Sequence, residues 1–431
     1  MSASSSRERL DYALSLIANP RGEGARACLT VYKESALAAA DAAEARAKQG
    51  ISLGPLDGTI VTIKDLFDVA GEPTRAGSKI LADAPPAKAD APVVRRLRAA
   101  GAVIVAKTNM SEFAFSGVGM NPHYGTPGNP ADRARVPGGS SSGAAVSAAD
   151  GMCEIAIGTD TGGSCRIPAA LCGVVGYKPS KQRVPTDGAF PLSYSLDSIG
   201  PLARSVEACA KGDAIIAGEE YTPLKSASVA GLRLGVPRGF LTTEWDNTVG
   251  TRFGAARRKL TDAGAHVTDE PMPLVDEMLQ VNAKGGFAPA EAFSVHRERL
   301  ARRANEFDPN VRVRIERGGN VTAADYVDMM QARARMVGAM DAQLAAFDAW
   351  MMPTSAIVAP TIAEMENTST FNTKNMLLLR NTLTWNFFDN CSISIPIPGS
   401  GLPVGLMLVA RNGHDRRLFA IAAGIERLLA A

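Results

Sequence analysis

The sequence predicts an α/β fold, and three observations point to it. Short β-branched runs alternate with stretches of helical period, as strands and helices do when they pack in layers. Apolar residues make up 46% of the chain and charged residues 21%, which is enough for a large core and excludes a disordered protein. The 431 residues show no internal repeat and no change of composition, with only a weak seam at 219–229. One large domain over 1–431 is therefore expected.

In chain order, residues 59–63 read as a buried strand that ends at Lys64-Asp65. Residues 92–100 read as a helix with Pro92 in its first turn, and 102–106 (AVIVA) as the next strand. The run CEIAI at 153–157 is strand-like, and 232–236, 349–352, 392–397 and 403–409 give further strands. A long helix is expected over 322–347, opened by a capping box between Thr322 and Asp325. Along it Tyr326, Met330, Val337, Met340 and Leu344 recur near the helical period, with the methionines as core filling. A closing helix spans about 416–429.

Charge and cysteine content narrow the class of protein. Lys+Arg number 46 and Asp+Glu 44, so a net charge of +2 gives no general pull toward nucleic acid or anionic lipid. No window approaches the roughly 18 consecutive apolar residues of a membrane span. Six scattered cysteines without a C-x-x-C fit neither a disulfide framework nor the usual zinc and redox spacings. Reduced thiols and a start without the apolar run of a secretory signal lead to the expectation of a cytoplasmic protein. The four histidines, His123, His266, His296 and His414, are far apart, although most nucleophilic hydrolases need one as base.

Three segments carry chemistry. Lys64 is a lone cation at the end of an apolar strand: it either reaches solvent or is buried. Burial disfavours the charged form, and a neutral amine can accept a proton. Pro137-Gly138-Gly139-Ser140-Ser141-Ser142-Gly143 runs directly into the helix-forming stretch 144–149. Such a loop is either a flexible connector or a cluster of N–H groups and hydroxyls at a helix start. Gly158-Thr159-Asp160-Thr161-Gly162-Gly163-Ser164-Cys165-Arg166-Ile167-Pro168 follows the strand 153–157. Two glycines before a serine are either a tight structural turn or the turned-in amides of an oxyanion hole.

Together these segments resemble the amidase signature family of serine hydrolases. The likeness covers residues 54–202, where Ser140 and Ser164 stand 24 positions apart, and continues more loosely beyond. It implies a mixed, twisted central sheet with helices on both faces. The signature core would be 54–202, and residues 230–431 would supply the substrate pocket and a C-terminal α/β part. The family's catalytic lysine falls on Lys64, its serine after a cis peptide on Ser140, and its nucleophile on Ser164. The oxyanion donors fall on the amides of Thr161, Gly162, Gly163 and Ser164. The resemblance implies a small linear amide as substrate and needs neither metal nor cofactor; it leaves a homodimer open. Cys165 departs from the Ile or Val common in the family, at a position without a catalytic role.

Other residues receive lesser assignments. Arg166 either holds the loop through carbonyls or meets a substrate carboxylate. His123 and Tyr124 are read as structural rather than substrate-binding, and Cys172 and Cys391 as buried small residues. By analogy with the family, the segment 370–390 contributes to the acyl pocket. Two rival readings stand. Gly139-Ser140-Ser141-Ser142-Gly143 is also a G-x-S-x-G, which would make Ser141 the nucleophile of an esterase if a strand preceded it. The chain could instead be the amidase component of a tRNA-dependent amidotransferase complex.

Overall fold

The computed structural model describes residues 5–431. Within them eleven short runs become strands: β1 (Cys28–Val31), β2 (Ile60–Lys64), β3 (Val103–Thr108), β4 (Ile155–Asp160), β5 (Val175–Lys178), β6 (Ser198–Ala203), β7 (Arg233–Arg238), β8 (His266–Pro271), β9 (Ala349–Pro353), β10 (Cys391–Ile397) and β11 (Val404–Ala410). The strands form one sheet in the order β1-β3-β2-β4-β6-β5-β10-β11-β9-β7-β8, which crosses the seam at 219–229. The sheet is mixed. β2 runs parallel to β3 and β4, and β7 parallel to β8 and β9, whereas β4–β6, β5–β10 and β10–β11 are antiparallel.

Strands β2, β3, β4 and β6 are buried over their whole length, so both faces of the sheet need cover. On one face Val61, Ile63, Ile155 and Ile157 share a core with Val93, Val94 and Leu97 of helix Pro92–Ala99 and Ile421 and Ile425 of helix Asp415–Ala430. On the other face Ile60, Val103, Val105 and Ala156 pack with Leu10 and Ala13 of helix Ser6–Ala18. Ala36 and Ala40 of helix Lys33–Lys48 and Ala144, Ala145 and Ala148 of helix Ser142–Ala149 complete that core. Small residues let this last helix lie close to the sheet.

The expected elements appear with ends displaced by a few residues, most at β4, which starts at Ile155 and runs on to Asp160. Strands β1, β5, β6 and β8 had no clear signal; β8 is a partly exposed strand whose burial does not alternate cleanly. The long helix spans Ala323–Leu344. Thr322 caps it by accepting from Asp325 N, but its hydroxyl donates to the Asp325 carboxylate, so the expected reciprocal box is replaced by this contact. Its buried stripe is Met329, Met336, Met340 and Leu344, whereas Met330 is 51% exposed. The apolar face therefore lies one position earlier at that turn than the sequence reading placed it.

Residues 370–390 are mostly one helix, Thr368–Phe387, capped by Asn367 through Thr370 N. Its buried positions include Asn375, Arg380, Asn381, Thr382, Thr384 and Asn386, which masks any apolar stripe. This helix lies against the signature loop.

Candidate active site

Lys64 is the last residue of β2 and shares its strand parity with Ile60 and Thr62. That face looks toward helix Ser142–Ala149, where Thr62 Oγ1 meets Ser147 Oγ at 3.2 Å. Lys64 is fully buried, and its Nζ donates to Ser140 Oγ at 2.7 Å and to Thr159 Oγ1 at 2.8 Å. Burial pulls its pKa down to about 7, against the opposing pull of Cys165, Asp160 and Asp197.

The Gly139–Ser140 peptide is cis. Gly139 N donates to Gly117 O at 2.8 Å, and Ser140 O accepts from Ser111 N at 3.1 Å, so the segment 111–117 fixes the loop on both sides. Ser141 N donates to Ser164 O at 3.3 Å and joins the two signature segments. The Ser141 hydroxyl is buried and donates to Thr159 O at 3.2 Å. Residues 129–137 ahead of it contain no strand, only isolated bridges such as Asn129 to Asp132. A nucleophile elbow at Ser141 is therefore excluded, since it needs a strand leading into the turn.

The second segment is organised by Asp160, the last residue of β4. Its Oδ1 accepts from Gly163 N at 2.8 Å and its Oδ2 from Cys165 N at 3.0 Å. Burial alone would raise this carboxyl, but the charge and hydrogen bonds of Arg166, together with Asn386, hold it well below the usual range. The Gly163 amide is thereby committed to Asp160, which removes it from the expected set of oxyanion donors. Glycine is needed there on two counts. Its φ is +134°, and an added Cβ would stand 2.2 Å from Thr382 Oγ1.

Arg166 also departs from expectation. It is fully buried, and each of its N–H groups is engaged: with both Asp160 oxygens, Thr382 O, Asn386 Oδ1 and Met407 Sδ. No donor remains for a substrate carboxylate, so Arg166 holds the loop and ties it to helix Thr368–Phe387. The Ser164 side chain is almost fully buried beside this loop. Burial pushes the neighbouring Cys165 thiol far up, leaving it no thiolate character.

A cavity of about 330 Å³ adjoins these groups, lined in part by Thr159, Thr161, Leu66, Ala114, Phe190 and Asp197. Asp197 accepts from Thr161 Oγ1 at 2.5 Å and from the amides of Leu192 and Ser193 at 3.0 Å each. His123 pairs with Glu112 at 2.7 Å, and the Tyr124 hydroxyl donates to Ser78 O at 3.4 Å. Glu112 also accepts from Ser78 Oγ and from Asp308 N, a network that braces loops. Cys172 and Cys391 are buried.

Sequence reasoning assigned no role to Thr159, Asp160, Asp197, Thr382 or Asn386. A carboxylate just beyond the strand-like run, three residues before the second of two glycines, was a usable signal for Asp160. Thr382 and Asn386 act more than 200 residues away, and their local sequence carries no mark of it.

The amidase family model matches residues 21–419. The chain is 37% identical to 2-amino-5-chloromuconic acid deaminase of Comamonas testosteroni, over 91% of this chain and 86% of that protein. It is 35% identical to a glutamyl-tRNA(Gln) amidotransferase subunit of Chloroflexus aurantiacus, over 94% of this chain and 89% of that protein. A crystal structure of an amidase superposes with a TM-score of 0.88 at 34% identity, covering 99% of this chain and 96% of the other. The chain belongs to the amidase signature family of amide-hydrolysing enzymes.

Proposed function

We propose that the chain cleaves a carboxylic amide through an acyl-enzyme on Ser164, with Ser140 as proton relay and Lys64 as base. The observation that carries this reading is the 2.7 Å contact between a fully buried Lys64 and Ser140. With its pKa near 7, Lys64 is neutral in a useful fraction at neutral pH. In that form the contact reverses, and the Ser140 hydroxyl donates to the amine.

As Ser164 Oγ bonds to the amide carbon, its proton passes to Ser140, and the Ser140 proton passes to Lys64. Negative charge collects on the former carbonyl oxygen, where the amides of Thr161, Gly162 and Ser164 are the remaining donors. The C–N bond then breaks while Ser140 protonates the departing nitrogen and Lys64 returns the proton to Ser140. Water repeats the sequence on the ester and frees the acid. The acyl group occupies space beside helix Thr368–Phe387. Trapping with a fluorophosphonate tests the reading: a mass-spectrometric adduct on Ser164 is expected, and one on Ser141 or Cys165 overturns it.

A second reading is favoured by the 35% identity to the Chloroflexus amidotransferase protein: the chain is an amidase component that works within a complex. Hydrolysis of small amides by the purified chain alone favours the free enzyme. Activity that appears only with partner subunits and charged tRNA favours the complex.

A further inference from the structure

A cavity of about 310 Å³ lies at the ends of β7, β9 and β11 and shares no lining residue with the one at Thr159 and Thr161. Trp350 pairs with Gly235 of β7 on one side and with Val409 of β11 on the other, so the three share one face of the sheet. The glycine makes room for the indole: an added Cβ would stand 2.9 Å from its Cδ2 and Cε2. Two residues further toward the same end of each strand, parity brings Arg233, Asp348 and Arg411 to that face. All three line the cavity together with Trp350 and Arg417.

The charges there do not balance. Asp348 accepts from Arg233 N at 2.9 Å, and its carboxylate meets the side chains of Arg417 at 3.2 Å and Arg233 at 3.6 Å. Arg411 donates to His414 Nε2 at 2.8 Å and has no carboxylate partner among the described residues. Three arginines thus face one carboxylate. Trp350 is 1% exposed, and its Nε1–H finds no acceptor among the described residues. A buried N–H left unpaired is costly, and a ligand oxygen would relieve it. Leu344, Phe347 and Val409 supply an apolar wall. A bare inorganic anion would leave that wall wet, whereas an apolar body gains by burial.

We propose that this cavity binds a small organic carboxylate, its oxygens held by Arg411 and the Trp350 N–H and its apolar body against Leu344 and Phe347. A guanidinium fork matches the two oxygens of a carboxylate, and the arginine excess disfavours a cation. The site is separate from the catalytic groups and does not depend on which serine reacts.

Benzoate, with benzyl alcohol as its uncharged counterpart, is titrated into the purified full chain and followed by calorimetry and tryptophan emission. The same titrations are run on Arg411→Gln and Trp350→Phe. Benzoate should bind with a Kd below ~1 mM, and benzyl alcohol ~10-fold or more weaker, because only the anion engages the arginines. Arg411→Gln should weaken benzoate by ~10-fold or more. The emission response should vanish in Trp350→Phe, although Trp245 and Trp385 remain. If Arg411→Gln does not fold, the emission response in Trp350→Phe decides. Failure of benzoate to bind, or equal binding of the two probes, overturns the proposal. So does an isotherm that Arg411→Gln leaves unchanged, which would place benzoate elsewhere, the catalytic cavity included. An emission response that is missing in the wild type or persists in Trp350→Phe overturns it as well.

Discussion

The Lys64 amine and the Ser140 hydroxyl stand 2.7 Å apart at the buried end of β2. Strand parity turns Lys64 toward the glycine-serine loop, and the loop places its second residue before the helix against the amine. This contact sets the first prediction. An ordinary lysine titrates near ~10.4, and burial brings Lys64 to about 7. Protonation removes the base, so kcat/KM should be level above about pH 7 and fall up to tenfold per unit below it. Lys64→Arg keeps the charge but cannot give up its proton, and should lose ~10³-fold or more at every pH. A pH–rate series on both proteins checks this. Substantial activity in the arginine variant would reduce Lys64 to a structural role.

Ser164→Ala should lower turnover by ~10³-fold or more while leaving the thermal transition in place, because only a hydroxyl is removed. Ser141→Ala should cost less than ~10-fold, since that hydroxyl is bonded to Thr159 O and faces no reacting atom. Parallel assays of the two variants on one amide separate the roles of these serines.

Arg166→Met tests the corrected role of the arginine. Asp160 would be left as a buried, unpaired carboxylate, and breaking such a pair from one side costs about 3–5 kcal/mol. Urea unfolding should report that loss. A variant of unchanged stability with a raised KM would restore the substrate-contact reading.

His296 offers a test unrelated to catalysis. Its ring lies among Phe113, Phe190 and Phe307, and neither nitrogen has a hydrogen-bond partner among the described residues. Burial lowers its pKa from the usual ~6.5 to about 3, helped by the charge of Arg299. Between those values the unfolded chain binds the extra proton, so this residue makes stability fall as pH drops from about 6.5 to about 3. His296→Phe should remove that part of the acid sensitivity and keep activity within ~10-fold of wild type. Unfolding curves at pH 7 and pH 4.5 measure the difference; an unchanged pH slope would show that His296 does not titrate as described.

From their residues alone the two glycine-serine segments and Lys64 each kept two readings, and it was the likeness of all three together to one family that joined them. The burial of Lys64 at the end of β2 decides between its two readings, which its short apolar strand could not. The Gly163 amide, expected among the oxyanion donors, is bonded to the Asp160 carboxylate in the structure, an acceptor that nothing in the spacing singled out. Arg166 was left between two roles because its partners Thr382 and Asn386 lie over 200 residues away. Helix Thr368–Phe387 was missed for a related reason: its inward face satisfies loops with amides and hydroxyls, so it lacks the apolar period that marks an ordinary core helix.

The bonds from Asn386 to Asp160 span 226 residues of chain. Contacts of such separation form late, after most of the loop-closure entropy has been lost. During synthesis, Lys64, Ser140 and Ser164 all emerge long before the helix that anchors the Asp160 loop. The nascent chain therefore carries every proposed reacting group while lacking the clamp that orders them, and chemical competence arrives only with the C-terminal half. Cutting the chain after the signature core would give a fragment with the motif intact and the catalyst absent.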